Sequence, residues 1–310
     1  MKKTILLTLV AAGMTLSAAA APKRLASVLE VEHGMDLSDP VSVAMYTTFF
    51  HYDDQGRLYR VTEGNDCTTI SYDDLSAGKL KLTYESSTYG VNDIYDVTLD
   101  AEGRAVAATY VSGSESKEYT FGYTDGRLTS IGETSTEYGY TTVGTTAITY
   151  LDGNISSVKY SEDNDPTEGF TCDFTYGGID NVGSLRLFDE LYGIDLSELE
   201  YLAQASYMGL APASLPTAMT LTDPDGKQSA KVVWVRDAEG YPTRLSDENS
   251  RDEYTEFNWE SEPAGVDGIT VEHDGEAKYF NLQGVRIDRP ERGVYIVRYA
   301  DGRSEKRVAR

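Results

Sequence analysis

The chain is 310 residues long and carries 51 aspartates and glutamates against 27 lysines and arginines, a formal net charge of −24. So acidic a surface repels nucleic acid and anionic lipid headgroups, which sets nucleic-acid binding aside and leaves solubility outside the cell as the plain meaning of the charge. Two cysteines are too few for a disulfide scaffold, and three scattered histidines, His33, His51 and His273, show no metal-ligand spacing.

Residues 1–21 have the layout of a secretory signal peptide. Lys2 and Lys3 precede an apolar run at 5–16, too short for a membrane span, and small residues follow at 17–21. No cysteine lies near the cleavage region, which argues against a lipid anchor. The expectation is an exported chain, destined for the periplasm, the cell surface or the extracellular medium.

Residues 22–262 are expected to form a repeat-built β domain. From about 41 to 178 the pattern is a β-meander. Leu80, Leu82 and Tyr84 share one face against Lys79, Lys81 and Thr83. Tyr95, Val97 and Leu99 do the same, then Tyr119, Phe121 and Tyr123, then Cys172, Phe174 and Tyr176. A period of two marks half-buried antiparallel strands. A loose repeat punctuates them. Phe50-His51-Tyr52-Asp53-Asp54-Gln55-Gly56-Arg57-Leu58 is its fullest copy. It returns as Leu99-Asp100-Ala101-Glu102-Gly103-Arg104 and Phe121-Gly122-Tyr123-Thr124-Asp125-Gly126-Arg127-Leu128. Weaker copies are Tyr150-Leu151-Asp152-Gly153-Asn154-Ile155 and the stretch from Trp234 through Asp237 and Gly240 to Tyr241. Glycine tolerates positive φ and aspartate caps its own turn, so each copy predicts a tight turn between two strands. The glycines at 56, 78, 103, 126 and 153 recur every 22 to 27 residues, one two-stranded hairpin per period. The arginine after the glycine is expected to pair with an acidic neighbour in its own hairpin.

The pattern breaks near Gly177. Short helices are expected at about 184–209 as a plug or cap of the sheet. Ser184 would cap the first and Gly193 end it. Ser197 with Glu200 has the form of a capping box, with Leu196 and Tyr201 as its hydrophobic staple, and Gly209 and Pro212 would stop the second. Strands resume at 217–222, 230–237 and 253–260. A Ser-Glu-Pro-Ala-Gly linker at 261–265 leads to a C-terminal β module at 263–310. Between Lys278 and Arg310 this module holds nine basic and four acidic residues, a reversal of charge that suits an interaction element or a tail docked on the acidic body. Taken alone it is a small hairpin unit, with turns at 281–284 and at Asp301-Gly302 and a strand at 294–299.

Two parts of the chain resemble known families. The Tyr-Asp-x-x-Gly-Arg-Leu hairpins at 52–58 and 123–128 look like tyrosine–aspartate repeats. With the helical insertion and the Leu215-Pro216-Thr217 exit, residues 41–260 resemble a family of uncharacterised exported Bacteroidetes proteins with a porin-like fold. That resemblance implies a curled β sheet and brings no catalytic residue with it. The C-terminal run Tyr279-Phe280-Asn281-Leu282-Gln283-Gly284-Val285-Arg286-Ile287, followed by Gly293-Val294-Tyr295-Ile296-Val297, resembles the sorting domains of the type IX secretion system. It is shorter, lacking the usual N-terminal half. The resemblance implies that secretion machinery reads this segment.

The chemistry-bearing motifs are missing. There is no Gly-x-Ser-x-Gly elbow, no His-Glu-x-x-His and no glycine-rich phosphate loop. Asp163-Asn164-Asp165 and Asp223-Pro224-Asp225-Gly226 have the start of a calcium loop without its terminal bidentate acid, and a solvated turn explains each more simply. Cys67 and Cys172 both fall in strand-like runs, and bridge and free thiols both stay open. The sequence therefore names no catalytic, cofactor-binding or metal residue. The expected fold is all-β: an antiparallel meander of repeated hairpins curling into a barrel-like or strongly bent sheet. The expected function is an exported non-enzymatic structural or binding protein of the cell envelope, with a glycan or envelope protein as partner. The alternatives are an outer-membrane β-barrel and, behind it, a carbohydrate-active enzyme. Strands that look shorter than about 9–11 residues weigh against the membrane barrel.

Overall fold

The computed structural model describes residues 23–33, 43–163, 169–249 and 253–261, together with four short strands between 278 and 309. Residues 1–21, where the signal peptide is expected, lie outside the described residues. So do Asn164 and Asp165, His273, and the two expected turns of the C-terminal module.

Sixteen antiparallel strands close into a barrel in chain order. They are β1 (Lys23–His33), β2 (Val43–Tyr52), β3 (Leu58–Glu63), β4 (Asp66–Ser71), β5 (Lys79–Ser86), β6 (Val91–Leu99), β7 (Ala105–Ser112) and β8 (Glu115–Thr124), then β9 (Arg127–Glu137), β10 (Tyr140–Leu151), β11 (Asn154–Glu162), β12 (Phe170–Asp180), β13 (Ser214–Asp223), β14 (Gly226–Arg236), β15 (Pro242–Asp247) and β16 (Tyr254–Ser261). The last strand pairs with the first, Val28 opposite Phe257 and Lys23 opposite Ser261. Closure removes both sheet edges. One strand was not expected from the sequence: β1 lies ahead of the meander and lacks a repeat turn in front of it, whereas β15 follows the Asp237–Gly240 turn of a weak repeat copy.

Alternation decides what lies inside. Leu80, Leu82, Tyr95, Val97, Ala108, Tyr110, Tyr119, Phe121, Ile131, Ile148, Val158, Cys172 and Phe174 are buried in one core. Tyr123 and Tyr176 are half-buried against it. The intervening positions, such as Lys79, Lys81, Asp96, Thr109, Glu118 and Thr120, face water. Ten of the strands are nine residues or longer, so the short-strand expectation fails for most of the wall.

The repeat turns all lie at one end of the barrel, here the repeat end. Successive copies are one hairpin apart, and a hairpin returns the chain to the end it left. Asp125 and Gly126 have φ of 51° and 75°, and Asp152 and Gly153 have 50° and 83°, so both are two-residue turns with both central residues left-handed. Asp53 accepts from the backbone N–H of Gln55 and Arg57, and Asp100 from Glu102 and Arg104. Two of the three repeat arginines pair as expected, Arg57 with Asp53 at 2.7 Å and Arg104 with Asp100 at 2.6 Å; Arg127 does not, and donates instead to the Ala211 carbonyl at 3.1 Å.

The repeat tyrosine has a role the sequence did not disclose. At the repeat end six of the eight even strands close with an aromatic that donates to a carbonyl of the odd strand before it; β6 ends in Leu99, and Tyr150 of β10 makes no such bond. Tyr52 donates to Leu25, Tyr72 to Leu58, Tyr123 to Ala105 and Tyr176 to Ile155, while the indoles of Trp234 and Trp259 donate to Pro216 and Pro242. The same tyrosines carry guanidinium groups on their faces, Arg24 over Tyr52 at 4.4 Å, Arg57 over Tyr72 at 4.1 Å and Arg104 over Tyr123 at 4.8 Å. These clamps join strand ends that no turn joins. Tyr123→Phe should cost about 1 kcal/mol by losing its hydrogen bond. Tyr150→Phe should cost nothing, because the Tyr150 hydroxyl is sealed and has no partner. Paired denaturant melts compare the two.

Residues 181–213 enter the lumen from the repeat end and fill it. Their helices are α1 (Phe188–Tyr192) and α2 (Glu200–Gln204), with a 3-10 turn at Ser197–Leu199. Leu185, Leu187, Phe188, Leu191, Tyr192, Ile194, Leu196, Leu199, Leu202 and Met208 join the wall's core. Gly193 ends α1 in the left-handed conformation as expected. The other boundaries differ. Ser184 caps nothing, and α1 follows Leu187 without a side-chain cap. The capping box does not form, because the Asp195 carboxylate takes the Ser197 backbone N–H at 2.8 Å and Ser197 is held at φ 48°. α2 stops at Gln204, before Gly209. Helices of five residues hold by packing alone, since they are too short to be stable by propensity.

Residues 263–310 form a separate compact unit. Its strands are β17 (Lys278–Phe280), β18 (Arg286–Ile287), β19 (Gly293–Arg298) and β20 (Ser304–Ala309), in the order β18-β17-β19-β20.

Candidate functional site

The end of the barrel opposite the repeats opens into an acidic mouth. The strands bring carboxylates to its inner rim at inward positions: Glu63 on β3, Asp66 on β4, Asp93 on β6 and Glu133 on β9. The plug adds Asp189 and Glu190 from α1, Asp195 and Glu198 from the turn, and Glu200 from α2. Between Glu63, Asp66, Tyr84, Glu190, Glu200 and Tyr201 lies a cleft of about 300 Å³. A second hollow of about 240 Å³ lies beside Glu133 and Asp195.

Tyrosines one layer deeper tie this belt down. Tyr84 donates to Asp66 at 3.2 Å, Tyr110 to Asp93 at 2.9 Å, Tyr119 to Glu133 at 3.2 Å and Tyr95 to Glu198 at 2.8 Å. Each phenol spans the boundary between core and mouth, with its ring in the apolar layer and its hydroxyl at the wet one. Burial and then the facing carboxylates push these phenols further from ionisation, as for Tyr95 and Tyr119.

Three of the plug carboxylates, Asp189, Glu190 and Glu200, are held closer to protonation than free ones. For Glu190 the causes are enclosure by the mouth and then the charges of Glu30, Asp189 and Glu63; for Glu200 they are enclosure and then Glu190 and Asp189. Glu190 and Asp189 still reach the water of the mouth, which softens the effect. The folded chain therefore binds more protons than the unfolded one between pH 4.5, the ordinary glutamate value, and about 7, where Glu190 ionises; Glu200 extends the interval upward. Stability should fall as pH rises through it. Glu190→Gln with Glu200→Gln should flatten that slope and raise the melting temperature near pH 8, as melts at a series of pH values would show. The opposite sign applies at the repeat end. The hydrogen bond from Lys23 holds the Asp237 carboxyl low, so its contribution is lost as the pH falls below the ordinary aspartate range.

The two cysteines are free thiols. Cys67 lies on β4 with the Arg60 Nε at 3.1 Å from its sulfur, and Cys172 is buried inside β12. Asp223 accepts from the backbone N–H of Asp225 and Gly226, as a capped hairpin turn does. His51 contacts Thr62 on the wall, and His33 ends β1. Among the described residues, no three histidine, cysteine or acidic side chains form a metal-binding group. The acidic mouth was not legible in the sequence. Its members are spread from Glu63 to Glu200, and the one available signal was an acid at an inward position near a strand end.

No family model matches the chain, and no curated protein matches it. Solved structures do. A porin-like protein from Bacteroides uniformis superposes with a TM-score of 0.58 at 15% identity, over 78% of this chain and 98% of that one. A porin-like protein from Bacteroides vulgatus gives 0.51 at 14% identity, over 78% and 99%. At such identities the likeness is one of fold. The closed barrel and these neighbours bear out the all-β, barrel-like fold expected from the sequence.

Proposed function

We propose that the chain is an exported, non-enzymatic barrel of the cell envelope that binds or braces a partner and does not conduct solutes. The filled lumen carries this reading. A porin channel needs a polar, water-filled interior. Here Phe188, Leu191, Tyr192, Leu199 and Leu202 pack inside the wall at 2% exposure or less. The outward face supports a wall in water: Lys79, Lys81 and Glu85 on β5 and Glu118, Thr120 and Thr124 on β8 are exposed. Lipid-facing walls carry an apolar band there. Among the described residues the large exposed apolar side chains of the wall fall in small groups, Ile94 beside Val111 on β6 and β7 and Phe49 with Tyr46 and Tyr89 about one surface hollow. A glycan or another envelope protein would be the partner, with residues 263–310 as the segment read during export.

A barrel seated in the outer membrane is the second reading. It is supported by the closure, by the porin-like neighbours and by the ten long strands. Fractionation of native cells separates the two. Release from the envelope by alkaline carbonate is the expected result; retention until detergent is added would give the membrane reading. Single-channel steps in a planar bilayer would overturn the non-conducting barrel in either location. A chain ending at Glu262 keeps every barrel strand, so it should fold and change its cellular location. Unchanged location would remove the export role of the C-terminal unit.

A further inference from the structure

The repeat end holds a feature that runs against the charge of the whole chain. Between wall and plug lies a cleft of about 350 Å³ whose lining includes four cations, Lys23, Arg24, Arg57 and Arg186, and no acid. Three of the four have carboxylates outside the cleft. Lys23 meets Asp237 at 2.7 Å and Glu239 at 3.1 Å, Arg24 meets Glu260 at 2.8 Å, and Arg57 meets Asp53 at 2.7 Å.

Arg186 is different. Among the described residues no carboxylate pairs with it. Its Nη1 donates to the Ser206 hydroxyl at 3.2 Å and to the Ser184 carbonyl at 3.4 Å. Its Nε is sealed from water and has no hydrogen-bond partner. A guanidinium partly drawn out of water with no counter-charge is costly, and enclosed charges are normally paired. Burial accordingly weakens its hold on its proton. The charge missing from this site is an anion.

We propose that the repeat-end cleft binds a phosphate monoester, with Arg186 as its principal ligand and Arg24 and Arg57 beside it. Guanidinium forks match the paired oxygens of a phosphate. Arg24 and Arg57 are already held over the rings of Tyr52 and Tyr72, so little rotamer freedom is lost when they engage. A phosphate monoester carries roughly −1.5 to −2 charges near neutrality, which suits more than one cation. The cleft is larger than a bare phosphate requires, and Ser206 and Gln204 at its wall can hydrogen-bond a hydroxylated carrier such as a sugar or glycerol. The assignment is independent of whether the barrel stands in water or in lipid.

Titration calorimetry on the full chain tests it, with inorganic phosphate, glycerol 3-phosphate and acetate as soluble probes. Phosphatidylcholine vesicles with and without phosphatidic acid, a lipid phosphate monoester, test the lipid source. Saturable binding of glycerol 3-phosphate, tighter than that of acetate and accompanied by a rise in melting temperature, is the expected result. Arg186→Gln should weaken it about tenfold or more without lowering the melting temperature of the free protein. Arg186→Lys, which keeps the charge and loses the fork, should fall between and serves if the glutamine variant fails to fold. Binding to phosphatidic acid vesicles alone, lost in the same variants, would assign a lipid headgroup as the source of the phosphate monoester. No saturable binding of any phosphate up to about 10 mM would overturn the site, as would binding that Arg186→Gln and Arg186→Lys leave unchanged.

Discussion

Phe188→Ala is expected to destabilise the barrel by about 3–5 kcal/mol, among the largest effects of a single side chain in this protein. Phe188 is 1% exposed and lies in the lumen, edge-on to Tyr192 with ring centroids 6.3 Å apart. Truncating it removes a large apolar surface and leaves a cavity that a closed wall of hydrogen-bonded strands cannot collapse to fill. The loss should appear in the midpoint of chemical denaturation. Val111→Ala, at a wall position 75% exposed, should stay within about 0.5 kcal/mol. The comparison also asks whether plug and wall unfold together. One transition moving as a unit is expected. An early plug transition with the wall's midpoint unmoved would show that the wall stands without its filling.

Gly209→Ala should be nearly as damaging, for a backbone reason. Gly209 has a φ of 81°, and a methyl group there would come within 2.5 Å of the Gly126 carbonyl oxygen. At this point the plug is fastened to the repeat end. Leu210 N–H donates to the Gly126 carbonyl at 2.9 Å, and Gly209 bridges Arg127. Left-handed backbone alone costs a non-glycine residue about 1–2 kcal/mol. Gly139, at φ 84° with nothing within 4 Å of where a methyl group would stand, isolates that part. Gly209→Ala should therefore lose clearly more than Gly139→Ala in thermal or denaturant melts. Equal losses would mean that the plug shifts freely and that the contact with the β8–β9 turn fastens nothing.

The acidic mouth and the basic cleft show why a site can be hidden in a legible fold. Asp53 and Arg57 announce their pairing locally, four residues apart across a turn, and it forms. Arg186 announces nothing. It sits in an irregular stretch, and its significance comes from Lys23, Arg24 and Arg57 arriving beside it from β1 and the turn before β3. Glu190 and Glu200 likewise read as the solvated side of short helices. They become a crowded pair only because the wall's Glu30 and Glu63 close around them. The capping box at Ser197 failed for the same kind of reason in miniature, since a nearer carboxylate, Asp195, won the backbone N–H.

The sequence by itself determined the period of two that sorts Leu80, Leu82, Tyr119 and Phe121 inward, the Asp-Gly turns that reverse the chain, and the hairpin spacing that returns every repeat to one end. Those features follow from backbone geometry within a few residues, from the pleat of a strand and the positive φ of a turn. Tertiary structure alone decided that the sheet closes, with Asn258 reaching Ser27 across 231 positions, that residues 181–213 fill the lumen, and that acids collect at one mouth and cations at the other. No local pattern encodes a pairing between first and last strands. It is selected because one closed register lets the inward side chains and the plug form one buried core while every strand edge finds a partner.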